Sequence, residues 1–161
     1  MFTGALAASY YGVPRTTVDI DIVVNFALEN TNFLATQLRK AGLRVSERKI
    51  EASFKSGFKM ITLEDEKTPF TIDVILSDKK LEKRKSSILG IPTYYQTPEA
   101  LILAKLRMIK ATIPKERALK DKDDIKAILK YTKVNLKALK EKASKEKTIS
   151  VLEELTNLES R

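Results

Sequence analysis

The chain has 161 residues, 43% of them hydrophobic, and a formal charge of +9 from 30 basic and 21 acidic residues. That length suits one domain, or one with a small appendage, and the composition supports an ordinary core. With no Cys and no His, zinc centres of Cys and His, thiol nucleophiles and Ser-His-Asp triads are excluded, so any general base is Asp, Glu, Lys or Tyr.

The basic balance suits a polyanionic partner such as a nucleotide or nucleic acid, and suits a Lys-rich solvated surface equally well. Absence of disulfides fits a reducing cytoplasm. Abundant Lys and Glu with few Gln also fit a thermophilic source. Residues 1–12 lack a basic start followed by an apolar core, and no apolar run approaches the roughly 20 residues that span a bilayer. A cytoplasmic chain without a membrane partner is therefore expected.

In chain order, residues 5–11 read as a short helix stopped by Gly12, and residues 14–17 as a turn. Residues 18–24 read as a strand, with Asp19, Asp21 and Val23 on one face and Ile20, Ile22 and Val24 on the other. Residues 29–41 look helical, with Phe33, Leu34, Leu38 and Ala41 on one side and Gly42 as the stop. Residues 58–63 and 70–76 form a predicted hairpin around the turn residues 64–69. In its second strand Asp73 points away from the face of Phe70, Ile72, Val74 and Leu76. Residues 79–87 are highly charged, and a short extended piece covers 88–95. Thr97-Pro98-Glu99 is a helix start, with Thr at the N-cap and Pro in the first turn. Helices are expected over 98–112, 117–131, 133–144 and 147–158. The composition changes near residue 95, which divides an α/β part (1–95) from a helical part (96–161).

Asp19 and Asp21 carry the chemistry. Two carboxylates on one strand face repel unless a cation or solvent separates them, so the pair reads either as a divalent-metal site or as a solvated acidic edge. Asp73, in a later strand, is a third carboxylate that the sheet can bring to the same face. Gly4, just before the first helix, allows a phosphate to approach the backbone at the helix N-terminus. Arg15 and Thr16 or Thr17 precede the acidic strand and suit contacts to phosphates or a base. Tyr94 and Tyr95 suit stacking on a base or packing at the junction of the two parts. The charged stretches 115–126 and 137–147 suit a nucleic-acid acceptor or solvated helix faces with i,i+4 pairs.

The order Gly4, Ala7, Gly12, Arg15, Thr17, Asp19-Ile20-Asp21 and then Asp73 resembles the nucleotidyltransferase superfamily of the DNA polymerase beta type. Its small prokaryotic members related to AbiEii-type toxins are the most similar. Tyr95-Gln96-Thr97-Pro98-Glu99-Ala100-Leu101 leading to Lys105-Leu106 resembles the segment after that family's catalytic sheet. Arg117, Lys120-Asp121 and Asp124-Ile125 resemble its charged helix motif. The likeness covers roughly residues 3–130. It implies an α/β (α+β) fold, a mixed or antiparallel sheet flanked by helices, with a C-terminal helical region.

The same resemblance implies transfer of a nucleoside monophosphate from a triphosphate to a hydroxyl on tRNA or protein, with a toxin-like role and an antitoxin partner. Asp19, Asp21 and Asp73 would bind Mg2+ or Mn2+, Asp73 serving as a ligand or as the proton acceptor. Gly4 and Ala5 would cradle the phosphates through backbone N–H groups, aided by Arg15 and Thr17. Lys105 and Lys120 would neutralise developing charge, and Asp121 would assist them or pair with a lysine to place it. Members usually open with a strand and then Gly-Gly or Gly-Ser. Here Met1 leaves that strand almost absent, and Ala5 removes a hydroxyl from the phosphate site. The competing expectations are an inactive scaffold of the same fold that binds RNA or a protein, and a D-x-D glycosyltransferase.

Overall fold

The computed structural model describes residues 1–65 and 68–157, except the side chains of Lys115 and Arg117. Arg117 of the charged motif, Glu66 and Lys67 of the predicted turn, and residue 158 of the last predicted helix lie outside what is described.

The described residues group into two compact units, one of Met1–Leu6 with Thr16–Tyr95, the other of Ala7–Arg15 with the residues from Gln96 onward. Helix α1 (Gly4–Tyr11) contributes its first residues to the first unit and the rest to the second.

In the first unit, β1 (Asp19–Asn25), β2 (Met60–Glu64) and β3 (Thr71–Ser77) form a sheet of order β1-β3-β2. β1 and β3 pair in parallel, β2 and β3 antiparallel, so the sheet is mixed. A parallel pair needs a crossover. It is supplied by α2 (Thr31–Lys40), after a 3-10 turn over Leu28–Asn30, by α3 (Glu47–Lys55), and then by β2 itself. One sheet face builds the core of this unit: Val74 and Leu76 of β3 and Ile61 and Leu63 of β2 pack with Phe26, Ala35, Leu38, Leu43 and Ile50. The alternation read in β3 is the one observed, with Asp73 on the opposite face from Val74's neighbours in the core.

Several local expectations change. In α2 the buried stripe is Thr31, Ala35 and Leu38, whereas Phe33 is two-thirds exposed and Ala41 lies beyond the helix. Positions i, i+4 and i+7 define a stripe that Phe33 misses. Helix α3 was not anticipated. Ser46 caps it by accepting from Lys49 N at 3.2 Å, and Ile50 anchors it in the core. The single extended piece expected over 88–95 is a hairpin instead, β4 (Lys83–Ile88) and β5 (Ile91–Gln96), so part of the charged stretch is a strand. Leu89 and Gly90 turn it with φ of +47° and +80°, the sense of a two-residue type I′ turn that fits strand twist.

The opening strand, expected to be almost absent, has a short counterpart. Thr3 N donates to Asp21 O at 3.0 Å and Val23 N to Met1 O at 2.8 Å, while Phe2 N donates to Tyr94 O at 2.7 Å. Residues 1–3 thus bridge antiparallel to β1 and parallel to β5.

The second unit contains α4 (Pro98–Ala111), a 3-10 turn over Lys115–Ala118, α5 (Leu119–Tyr131), α6 (Leu136–Lys145) and α7 (Ile149–Asn157). Thr97 Oγ1 caps α4 at Ala100 N, as the Thr-Pro-Glu start predicts. α4 contacts α5, α6 and α7, and Leu101, Leu106, Ile125, Ile128, Leu139, Leu152 and Leu155 are buried almost completely. The end of α1 is fastened into this unit by Thr132 Oγ1, which donates to Tyr11 O at 2.5 Å. Among the described residues no helix is long and apolar enough to cross a membrane.

Candidate active site

The parallel pairing of β1 and β3 sets Asp21 opposite Asp73 and Asp19 opposite Thr71. Paired residues project to the same face, so Asp19, Asp21 and Asp73 share the face away from the core. Thr62 of β2 is the next residue in the row, opposite Asp73. Its Oγ1 donates to Asp73 Oδ1 at 2.6 Å, which fixes one carboxylate oxygen and leaves the other. Thr62 was not anticipated. The signal was available in the alternation of Met60, Thr62 and Glu64, but only the register shows which carboxylate it meets.

Gly4 has φ +56°, a conformation that costs an L side chain about 1 kcal/mol or more. A Cβ built there would lie 1.9 Å from Asp21 Oδ2. The Asp21 carboxylate therefore sits where any side chain at position 4 would go, against the first turn of α1. Gly4→Ala combines strain with this clash. We expect it to displace the Asp21 carboxylate, to lower Tm by several degrees in a thermal melt, and to cut activity more than Ala5→Gly, which leaves Gly4 in place.

Thr17 Oγ1 bonds the backbone of Asp19, accepting from N at 3.1 Å and donating to O at 3.2 Å. It fastens the start of β1. Ala5, at the N-terminal end of α1, is buried. Among the described residues no three acidic side chains close into a ready-made metal cage: Asp73 directs one oxygen to Thr62, and Asp21 lies against Gly4. The three nonetheless share a face and accept only, as hard divalent cations require.

The other predicted site residues belong to the second unit. Lys105 of α4 is buried, and its Nζ lies 2.8 Å from both Asp121 Oδ1 and Asp124 Oδ2. Two of its three donors are thus committed. Arg15 reaches the same Asp124 in a two-pronged contact, Nε to Oδ1 at 3.0 Å and Nη2 to Oδ2 at 3.1 Å. Arg15, Lys105, Asp121 and Asp124 form one ion cluster of two cations and two anions. Asp121 places a lysine, and that lysine is Lys105. Lys120 is exposed on α5.

Burial alone drives the Asp124 carboxyl upward, but hydrogen bonds and charge from Arg15 and Lys105 outweigh it and hold the group below its usual 3.8. A depressed carboxyl contributes stability above its unfolded value, near pH 4, and loses it as pH falls through the folded value. We expect the Tm difference between the parent and Asp124→Asn to be constant from pH 5 to 7 and to shrink below about pH 4.

Tyr95 is buried and packs on Phe2 with ring centroids 5.7 Å apart, while Tyr94 is partly exposed beneath Lys83 Nζ at 4.5 Å. Of the two, only Tyr94 presents a ring to solvent. The charged C-terminal stretches include ion pairs between helices, such as Arg107–Glu146 and Lys122–Glu154.

No protein-family model matches this chain, and no curated protein sequence matches it. Among solved structures, the chain is similar to the antibiotic-resistance factor ANT(2'')-Ia, known from a solution structure, with a TM-score of 0.64 at 16% identity. The match covers 97% of this chain and 86% of that one. The fold is nucleotidyltransferase-like, an α+β arrangement with two small sheets.

Proposed function

We propose that this chain is a metal-dependent nucleotidyltransferase that moves a nucleoside monophosphate from a triphosphate to a hydroxyl acceptor. The observation that carries the reading is the row Asp19, Asp21 and Asp73 on one sheet face, with Gly4 giving its side-chain space to the Asp21 carboxylate. The fold shared with ANT(2'')-Ia supports it.

On this reading Asp19, Asp21 and Asp73 hold Mg2+ or Mn2+. A divalent cation there supplies charge neutralisation at the phosphates and acidifies the acceptor hydroxyl. The residues of the chain do the rest. Gly4 and Ala5 offer backbone N–H groups at the start of α1, where the helix dipole favours phosphate. Thr62 holds one oxygen of Asp73, so the other is oriented to accept the hydroxyl proton. The acceptor oxygen attacks the α-phosphorus, its bond to the β-phosphate oxygen breaks, and pyrophosphate leaves. Thr17 keeps Asp19 in register. Within the second unit, Lys120 is an exposed cation of α5, and the cluster of Arg15, Lys105, Asp121 and Asp124 fastens α5 to α4. The acceptor is tRNA or protein, and an antitoxin partner accompanies a toxin-like role.

Calorimetric titration of each nucleoside triphosphate, with and without Mg2+ or Mn2+, tests the binding half of this reading. Metal-dependent binding that disappears in Asp19→Ala/Asp21→Ala supports it. Binding that ignores both the metal and the substitutions contradicts it.

A further inference from the structure

A strand at a sheet edge presents a row of backbone N–H and C=O groups that need partners. In the first unit most such edges are met by the chain itself. Residues 1–3 bridge to β1, and Phe2 N donates to Tyr94 O of β5. β2 is met by Leu43, which bridges to Asp65, and by Lys49 Nζ, which donates to Thr62 O at 3.0 Å. The remaining edge is β4. It pairs with β5 on one side, and among the described residues nothing bonds to the backbone of Lys83–Ile88 on the other.

The turn shows which groups that edge presents. Leu89 and Gly90 alone separate β4 from β5, so Ile88 stands opposite Ile91 and Lys85 opposite Tyr94. The Tyr94 carbonyl is directed away from β4, to Phe2. Opposite residues of an antiparallel pair turn their backbone groups both inward or both outward. Lys85 therefore offers its N–H and C=O to the open edge, as do Lys83 and Ser87 two residues either way. Pro92, opposite Ser87, fits this register, because its missing N–H belongs to no ladder bond.

The edge is also basic. Residues 79–88 hold five cations and one carboxylate, Glu82. Lys83, Arg84 and Lys85 are exposed. Lys83 lies over the Tyr94 ring, whereas Arg84 and Lys85 have no ion pair or side-chain hydrogen bond among the described residues. At the tip, Ile88, Leu89 and Ile91 are 42%, 98% and 67% exposed.

We propose that β4 is a docking edge for an extended acidic segment of another protein, which adds to the hairpin as a third strand. Main-chain bonds to Lys83, Lys85 and Ser87 supply affinity, and the side chains supply selectivity. Lys83 and Lys85 flank the added strand on one face and Arg84 on the other. A second copy of this chain is disfavoured, since pairing β4 with itself would bring like charges together. A nucleic acid matches the cations, but its phosphates only accept and would leave the outward carbonyls unmatched. No part of this proposal rests on the nucleotidyltransferase reading.

The test is fluorescence anisotropy with a short labelled, capped peptide of alternating Glu and Val, which meets the cations in any register. Ser87→Pro removes one outward N–H and sets a ring against the edge, while the charge and the bonds to β5 remain. We expect it to weaken binding about tenfold with an unchanged thermal melt. The same peptide methylated at every backbone N–H keeps its charge and should also bind about tenfold or more weakly, with the protein unaltered. Arg84→Gln/Lys85→Gln should weaken binding about fivefold, and Lys137→Gln/Lys140→Gln, which removes equal charge from α6, less than about twofold. Failure of the parent to bind the peptide overturns the proposal. So does binding that is indifferent to both Ser87→Pro and peptide methylation, which would mark attraction by charge alone. Tighter binding of an oligouridylate of equal charge than of the peptide, or equal weakening by the β4 and α6 pairs, overturns it as well.

Discussion

Asp21→Asn is expected to lower nucleotidyl transfer about a thousandfold or more, because the several kcal/mol of charge stabilisation provided by a bound divalent ion depend on its carboxylates. The side chain is nearly unchanged in shape, so the space beside Gly4 stays filled. Removing one of three like charges from a sheet face also relieves repulsion. Tm should therefore stay within about 5 °C of the parent. The measurement is an initial rate at saturating triphosphate beside a thermal melt. A large rate loss with an intact melt assigns Asp21 to the chemistry. Full activity would remove the metal assignment.

Lys105→Met has the opposite signature. The substitution keeps the volume and apolar stem but takes a buried ammonium away from two carboxylates at 2.8 Å. Breaking a buried pair by removing one partner typically costs about 3–5 kcal/mol, because the remaining charge is left uncompensated. Arg15 still holds Asp124, which argues for the lower end, about 3 kcal/mol, or roughly 10 °C in Tm for a chain of this length. Lys105→Met/Asp121→Asn should recover part of that loss, since it also removes the carboxylate that pairs with Lys105 at 2.8 Å. A melt of the four-variant cycle measures this coupling. If Lys105 instead serves substrate, Lys105→Met leaves Tm near the parent and changes only the kinetics.

The two results separate roles that look alike in sequence. Asp19, Asp21, Lys105 and Lys120-Asp121 are all charged residues in recognisable spacing. The acidic strand was legible because a β-branched run interrupted by carboxylates at i and i+2 must expose them together. The start of α4 was legible for a similar local reason, a Thr cap followed by Pro and Glu. The partners of these residues were not, because they are set by long-range pairing. Arg15 and Asp124 are 109 positions apart, and Asp21 meets Asp73 only through a parallel register closed by two helices and a strand. Helix α3 escaped notice because its apolar stripe is short, with Ile50 fully buried and Phe54 partly so amid charged residues. The β4–β5 hairpin escaped because Lys83-Arg84-Lys85 reads as a solvated loop, and because Leu89 occupies a left-handed turn position usually given to Asn, Asp or Gly.

Residues 1–3 pair beside β1 and β5. Three hydrogen bonds to β1 and one to the Tyr94 carbonyl hold the segment that leads into Gly4. The position of Gly4 against Asp21 follows from that pairing, so the turn at Gly4 and the acidic row are registered by the same few bonds.

Transfer of label from nucleoside triphosphates carrying it at the α- or the γ-phosphate, onto total RNA and protein with Mg2+ or Mn2+, tests the central claim most directly. The account predicts that α-label becomes attached to an acceptor, that γ-label leaves in pyrophosphate, and that Asp19→Ala/Asp21→Ala abolishes both. Attachment of γ-label, or attachment of α-label that survives in that double variant, would contradict it.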